Sequence, residues 1–343
     1  MGANLSLPQS SRFQFSPEFQ ICRILNGMWQ VSGGHGHIDP DTAVEGMFPY
    51  LDSGFTTWDL ADHYGPAEDF VGQFRRELSA SRGLESLSGV QAFTKWVPQP
   101  GKMTRGLVEA SVAVSLRRMG VEAVDLLQFH WWDYADSNYL DALAYLSELQ
   151  GQGKIRHLGL TNFDTEHLKR IVDHGITVVS NQVQFSLIDR RPEVRMVQFC
   201  QESGIQLLTY GTLCGGLLSD KYLGQPQPRG SALDTASLSK YVRIIEAWGD
   251  WDLFQQLLVT LKGIGDKNGV SIANVAVRYI LDRPTVAGVI VGARLGLTDH
   301  REENARVFQF ALDGDDLDRI EAVLRNSRDL YRLIGDCGDE YRR

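Results

Sequence analysis

Eight short apolar runs, each followed by a longer segment of helical periodicity, constrain this chain more than any other feature. They fall at 24–30, 56–60, 90–96, 124–130, 155–161, 178–184, 205–211 and 286–293. Most are nearly continuous in aliphatic and aromatic residues, the pattern of parallel strands buried on both faces. Between them, Leu253, Phe254, Leu257, Leu258 and Leu261, then Ile272, Val275, Ala276, Tyr279 and Ile280, form stripes at helical spacing. Such alternation predicts an α/β protein built as a (β/α)8 TIM barrel, a ring of parallel strands inside a ring of helices. Asp39 before Pro40, and Ser271 after the Gly269-Val270 break, have the chemistry of helix N-caps.

Two regions depart from the alternation. Within residues 1–23, Phe13, Phe15 and Phe19 stand at even spacing, which predicts a short hairpin outside the barrel that plugs its bottom. Residues 224–250 begin rich in Gly, Pro, Ser and Gln and then hold Tyr241 and Trp248, just ahead of Trp251. They read as a long loop, either a lid over the site or a variable surface insertion. The whole of 1–343 is thus expected to form one barrel domain with additions.

Composition narrows the partners. With 34 Lys and Arg against 43 Asp and Glu the net charge is -9, so the field that draws a protein to nucleic acid or an anionic membrane is missing. Cys22, Cys200, Cys214 and Cys337 are spread without a C-x-x-C pair, the pattern of reduced thiols with neither disulfide nor zinc site. No run approaches the roughly 18 apolar residues of a membrane span, and no secretory leader pattern opens the chain. A cytoplasmic protein is expected, with nothing in the sequence to set its oligomeric state. Met1-Gly2-Ala3-Asn4-Leu5-Ser6 fits the acylation pattern M-G-x-x-x-[ST], but no polybasic patch accompanies it and a chance match is favoured.

In a parallel barrel all strand C-termini open on one face, so polar residues that end apolar runs are candidates for a shared site. Asp59, Lys95 and His130 end the second, third and fourth runs; Asn162 follows the fifth. Gln182 lies in the sixth, Tyr210 ends the seventh and Arg294 follows the eighth. One such residue means little, since a strand-end Asp is often only a helix cap. Their joint arrival on one face is harder to assign to accident.

These residues sit in a longer set of motifs: Asp59-Leu60-Ala61-Asp62-His63-Tyr64-Gly65 followed by Glu68 and Gly72, Thr94-Lys95, Asp125-Leu126-Leu127-Gln128-Phe129-His130, Gly159-Leu160-Thr161-Asn162-Phe163, and Asn181-Gln182-Val183-Gln184. Together they resemble the aldo-keto reductase family from about Gly27 to Phe308. The resemblance implies reduction of an aldehyde or ketone with a nicotinamide cofactor.

The residues support that chemistry. Hydride transfer to a carbonyl leaves negative charge on oxygen, so a proton donor must stand within hydrogen-bond reach. Tyr64 is that candidate; a phenol of pKa about 10 is a poor acid at neutral pH, and the Lys95 ammonium is expected to lower it. A buried ammonium needs a counter-ion, which Asp59 supplies. His130 either shares the proton relay or, as a neutral imidazole, gives an N–H to the carbonyl; the sequence leaves both open.

By resemblance, Tyr210 stacks on the nicotinamide ring while Thr161, Asn162 and Gln182 bind its carboxamide. No G-x-G-x-x-G follows the first strand, since Gly33-Gly34-His35-Gly36-His37 lacks the spacing, so the phosphates need another cradle. The loops after the seventh and eighth strands, with Gly211, Thr212, Leu213 and Gly215, and with Gly292 and Arg294, resemble the family's cofactor straps. Gly27 and Trp29 lie late in the first run, and by resemblance His300, Glu303 and Asn304 stand at the adenine end. The family often has Gln in place of His300 and Ser-Pro in place of Gly211-Thr212. Arg294 suits a 2′-phosphate, which favours NADPH over NADH.

Trp29, Trp96 and Trp131 are expected to rim the opening as an apolar slot for a small carbonyl substrate, with Trp132 either joining them or packing between loops. The alternative function is a cofactor-sensing regulatory subunit on the same scaffold. A lyase forming a Schiff base at Lys95 fits the Asp59 and Tyr64 pattern poorly.

Overall fold

A computed structural model of the protein describes residues 5–33 and 38–342. The Gly2 motif and the Gly34-to-His37 part of the glycine stretch lie outside them. The chain opens with an antiparallel hairpin, β1 (Arg12–Ser16) and β2 (Phe19–Cys22). Eight parallel strands follow: β3 (Ile24–Gly27), β4 (Thr57–Asp59), β5 (Gln91–Trp96), β6 (Val124–Phe129), β7 (Ile155–Thr161), β8 (Ser180–Gln184), β9 (Gln206–Tyr210) and β10 (Val286–Gly292). They close into a barrel in chain order, with β10 hydrogen-bonded to both β9 and β3. Each lies inside its expected run, with bounds differing by at most three residues, because a strand buried on both faces announces itself by composition.

The connections are helical: α1 (Pro40–Asp52), α2 (Ala67–Arg82), α3 (Arg105–Met119), α4 (Tyr139–Gly151), α5 (Thr165–Asp173) and α6 (Met196–Ser203), then α7 (Ala236–Trp248), α8 (Trp251–Asn268) and α9 (Ile272–Leu281) before β10. After β10 come α10 (Arg301–Arg306), α11 (Gly314–Leu324) and α12 (Leu330–Ile334). Asp39 caps α1 by accepting from the Thr42 amide at 2.9 Å, and Ser271 caps α9 in a reciprocal box with Asn274. No described helix is long and apolar enough to cross a membrane.

Side chains alternate across each strand, and this alternation layers the barrel interior. Leu25, Phe93, Leu126, Leu208 and Ala287 form an apolar layer near the strand N-termini, covered by Phe19 of the hairpin. The Phe19 ring stacks on His157 at 4.1 Å and packs on Phe93 at 5.7 Å, so the hairpin does plug the bottom. One step up, Asp59, Lys95, Gln128 and Gln182 form a buried polar layer.

The 224–250 region is less of a loop than its composition suggests. Its second half is helix α7, capped by Thr235, burying Leu238, Tyr241, Val242, Ile245 and Trp248 at helical spacing. The Gly, Pro and Gln content upstream conceals that stripe. The remaining loop is tied down where the Trp251 indole donates to the Gln225 carbonyl at 2.8 Å.

Candidate active site

The polar layer is held by mutual bonds. Lys95 Nζ lies 2.6 Å from Asp59 Oδ2 and donates to the Leu60 carbonyl at 2.8 Å. Asp59 Oδ1 accepts from Gln182 Nε2 at 2.7 Å and from Gln128 Nε2 at 3.0 Å. Burial lowers the Lys95 pKa, and Asp59 opposes that shift. Cross-strand register brings these groups together: Lys95 is paired with Gln128, and Asp59 with Phe93 one step below.

Tyr64 stands above them on the loop after β4, with Lys95 Nζ 5.0 Å from its ring centroid. The ammonium therefore lies against the ring face. Burial, reinforced by the Asp59 charge, raises the Tyr64 pKa well above 10. This corrects the expected lowering, because burial disfavours the phenolate.

His130 follows β6 and is 2% exposed. Its Nδ1 lies 3.1 Å from the Thr161 carbonyl, while Nε2 is buried without a partner among the described residues. Burial pushes its pKa down to about 4, so the ring is neutral at pH 7. With Nδ1–H given to a carbonyl, the neutral tautomer carries a lone pair on Nε2. Trp132 stands edge-on to the imidazole at 4.4 Å, with its buried Nε1 also unpartnered.

Two of the expected rim tryptophans face elsewhere. Trp96 packs on Phe129 at 5.5 Å, and the wholly buried Trp131 donates Nε1–H to the carbonyls of Asp133 and Asp136 at 2.7 and 2.8 Å. The strand alternation that aims Lys95 and His130 inward aims the next residue of each outward, into the helix layer. Trp29, 37% exposed, does stand at the mouth, edge-on to Tyr64 at 5.0 Å.

The expected cofactor residues divide into three groups. Thr161, Asn162, Gln182 and Tyr210 meet at the mouth: Thr161 Oγ1 and the Asn162 amide both donate to the Gln182 carbonyl, and the Tyr210 hydroxyl lies 2.8 Å from Asn162 Oδ1. Asn162 itself is left-handed at φ 59°. Gly27 and Gly292 are register partners beside Asp59, and a Cβ on Gly292 would collide with the Gln30 amide at 2.2 Å. After β9, Gly211 lies so close to Tyr241 that a Cβ would come within 2.3 Å of its hydroxyl; Thr212 donates to the Phe185 carbonyl, Leu213 is half-buried and Gly215 packs on Ser237. Farther out, Arg294 is exposed with no side-chain ion pair among the described residues, and His300 begins α10. Glu303 accepts from the Ser271 hydroxyl, and the Asn304 amide bonds to the His300 carbonyl.

The aldo/keto reductase family profile matches residues 23–325. This chain belongs to the aldo/keto reductase family. It is similar to flagellar radial spoke protein 5 of Chlamydomonas reinhardtii, 34% identical over 261 residues, covering 65% of this chain and 49% of that protein. The chain thus spans about half the length of that relative. It is also similar to the NADH-specific methylglyoxal reductase of Escherichia coli, 24% identical over 252 residues, covering 67% and 77%. Among solved structures, an aldo/keto reductase from Klebsiella pneumoniae in complex with NADP and acetate superposes with a TM-score of 0.67 at 21% identity, covering 95% and 96% of the two chains.

Three contributions to the site go beyond the roles that the sequence suggested. Gln128 looks like one polar residue in an apolar strand, yet it completes the layer around Asp59. Arg118 of α3 pairs with the buried Glu68 at 3.0 Å and donates to the Asp62 and Gly65 carbonyls, gripping the loop that carries Tyr64. Glu68 in turn accepts from Thr94, the neighbour of Lys95, at 2.6 Å.

The third is the C-terminal segment 335–342, which folds back over the mouth. Arg191, 1% exposed, bridges Asp189 at 2.8 Å and Glu340 at 2.9 Å. Asp336 accepts from the Thr165 amide at 3.0 Å, and Gly338 lies so close to Asn162 that a Cβ would come within 2.1 Å of its carbonyl. Arg342 donates to the Trp131 and Asn162 carbonyls and to the Tyr134 hydroxyl. The Tyr341 hydroxyl reaches that of Tyr210 at 3.0 Å. In the sequence this segment reads as a charged, solvated tail, and its partners lie more than a hundred residues away.

Proposed function

We propose that the chain is a nicotinamide-dependent oxidoreductase that reduces an aldehyde or ketone to an alcohol, with NADPH as the preferred cofactor. One observation carries this reading: a buried Lys95–Asp59 pair lies beneath Tyr64 at a barrel mouth where the His130 Nε2 is buried and unpartnered. A buried acceptor without a partner calls for a ligand group there.

The residues fit the cofactor. The Tyr210 ring and the Asn162 side-chain amide stand together beside that reaction centre, and the exposed Arg294, without an ion pair among the described residues, offers a fork of donors suited to a 2′-phosphate. Relatives differ on this point, one named as NADH-specific and one solved with NADP. When bound, the dinucleotide supplies the hydride to the carbonyl carbon.

The chain's own residues orient the carbonyl and move the proton. Tyr64, a neutral phenol at neutral pH, gives its proton to the carbonyl oxygen as charge develops there. Lys95 compensates the phenolate left behind, and Asp59 with its two glutamine donors holds Lys95 in place. His130, with Nδ1 committed to Thr161, fits the relay role and not the N–H donor role, since its free nitrogen accepts. The Trp132 indole is the free donor beside it.

The test is titration of the purified chain with NADPH and NADH by fluorescence, followed by cofactor oxidation with an activated aromatic aldehyde. Tight NADPH binding with turnover is expected. Binding without turnover favours the regulatory subunit, a reading to which the likeness to a radial spoke protein lends weight, and no binding of either dinucleotide overturns both.

A further inference from the structure

A hydrogen-bonded chain crosses the mouth from helix α7 through the C-terminal segment to Asn162. Lys240 Nζ bonds to the Tyr341 hydroxyl, which lies 3.0 Å from the Tyr210 hydroxyl, itself 2.8 Å from Asn162 Oδ1. An ammonium only donates, so the Tyr341 hydroxyl accepts from Lys240. The Tyr210 hydroxyl stands between the Tyr341 oxygen and Asn162 Oδ1, within hydrogen-bond distance of both. The side-chain oxygen of Asn162 is thus turned to Tyr210 and its NH2 away from it.

We propose that Tyr341 and Lys240 are positioning residues for the nicotinamide end of the cofactor: through this chain they fix the plane of the Tyr210 ring and the orientation of the Asn162 amide. The proposal rests on the cofactor reading above. Linked bonds in this part-buried chain reinforce one another, so the orientation is held more firmly than by any single contact. Lys240 also lies 5.3 Å from the Tyr210 ring and 4.9 Å from the Tyr341 ring, which places one cation against both phenols.

The C-terminal segment is built to deliver Tyr341 there. Glu340, beside it, is clamped by the buried Arg191 at 2.9 Å. Arg342, on its other side, holds the main-chain carbonyl of Asn162 and stacks over the Tyr134 ring at 4.1 Å. Asn162 is thus held at its left-handed main chain by Arg342 and at its side chain by the Tyr341 relay.

The experiment compares dinucleotides with their adenine halves. Dissociation constants of NADPH, NADH, 2′-phospho-ADP-ribose and ADP-ribose are measured for the wild type, Tyr341→Phe, Lys240→Met and Lys240→Arg, with thermal melting to confirm folding. Tyr341→Phe and Lys240→Met are expected to weaken both dinucleotides about five- to tenfold, the worth of one hydrogen bond, and to leave the adenine halves within about twofold. Lys240→Arg, which keeps a donor, is expected to recover most of the loss.

Equal weakening of dinucleotide and adenine half would mark a merely structural role and overturn the proposal. So would unchanged dinucleotide binding in Tyr341→Phe and Lys240→Met. A wild type that binds neither dinucleotide would instead overturn the cofactor reading beneath it.

Discussion

Lys95 and Asp59 lie 2.6 Å apart in the barrel interior, each with 4% of its side chain exposed. Neither charge has access to bulk water, so each depends on the other. Asp59→Asn leaves a buried ammonium unpaired and is expected to cost about 3–5 kcal/mol in urea unfolding at pH 7. Asp59→Asn with Lys95→Met removes both charges and should recover most of that loss. Additive losses would contradict the coupling.

His130 makes stability depend on pH in a defined window. Its pKa is about 4 in the folded chain against 6.5 for a free imidazole, so between those values the unfolded chain binds more protons. The neutral ring's contribution is fully present above pH 6.5 and is lost as pH falls through the window, by at most about 3 kcal/mol. His130→Phe should therefore lose less stability than the wild type between pH 6.5 and pH 4, by equilibrium denaturation at each pH. An identical pH dependence in the two chains would contradict the buried neutral imidazole.

The tryptophans separate packing from the site. Trp131→Ala empties a fully buried position and is expected to cost about 3–5 kcal/mol, whereas Trp29→Ala, at a position 37% exposed, should cost under about 1 kcal/mol. Turnover is expected to fall in Trp29→Ala. Denaturant unfolding beside steady-state kinetics checks both, and a stability loss in Trp29→Ala as large as in Trp131→Ala would contradict the placement.

Those two tryptophans also show what was legible in the sequence. The barrel strands were readable because burial on both faces leaves a compositional signature, and the inward groups Asp59, Lys95 and His130 stood at strand ends. The same period of two that aims Lys95 and His130 inward turns Trp96 and Trp131 outward, and treating every residue near a strand end as a rim residue overlooked it. Helix α7 was concealed by the glycines and prolines before it. The Tyr341–Tyr210 contact joins positions 131 residues apart, and local pattern carries no trace of such a pairing.

The proposed preference for a phosphorylated cofactor rests on Arg294. Arg294→Ala should raise the dissociation constant of NADPH about tenfold or more, the worth of a charge-assisted hydrogen bond, and leave that of NADH nearly unchanged. Fluorescence titration of both dinucleotides measures this. Equal effects on the two would remove the case for a 2′-phosphate contact.

On the proposed function the chemistry turns on Tyr64, the phenol that stands above the Lys95–Asp59 pair. The most direct measurement is single-turnover oxidation of bound NADPH by an activated aromatic aldehyde in Tyr64→Phe, with the cofactor dissociation constant measured on the same protein. Loss of the proton donor should slow turnover by about 10²–10⁴-fold, with cofactor affinity within about twofold of the wild type. Turnover at the wild-type rate in Tyr64→Phe would contradict the account.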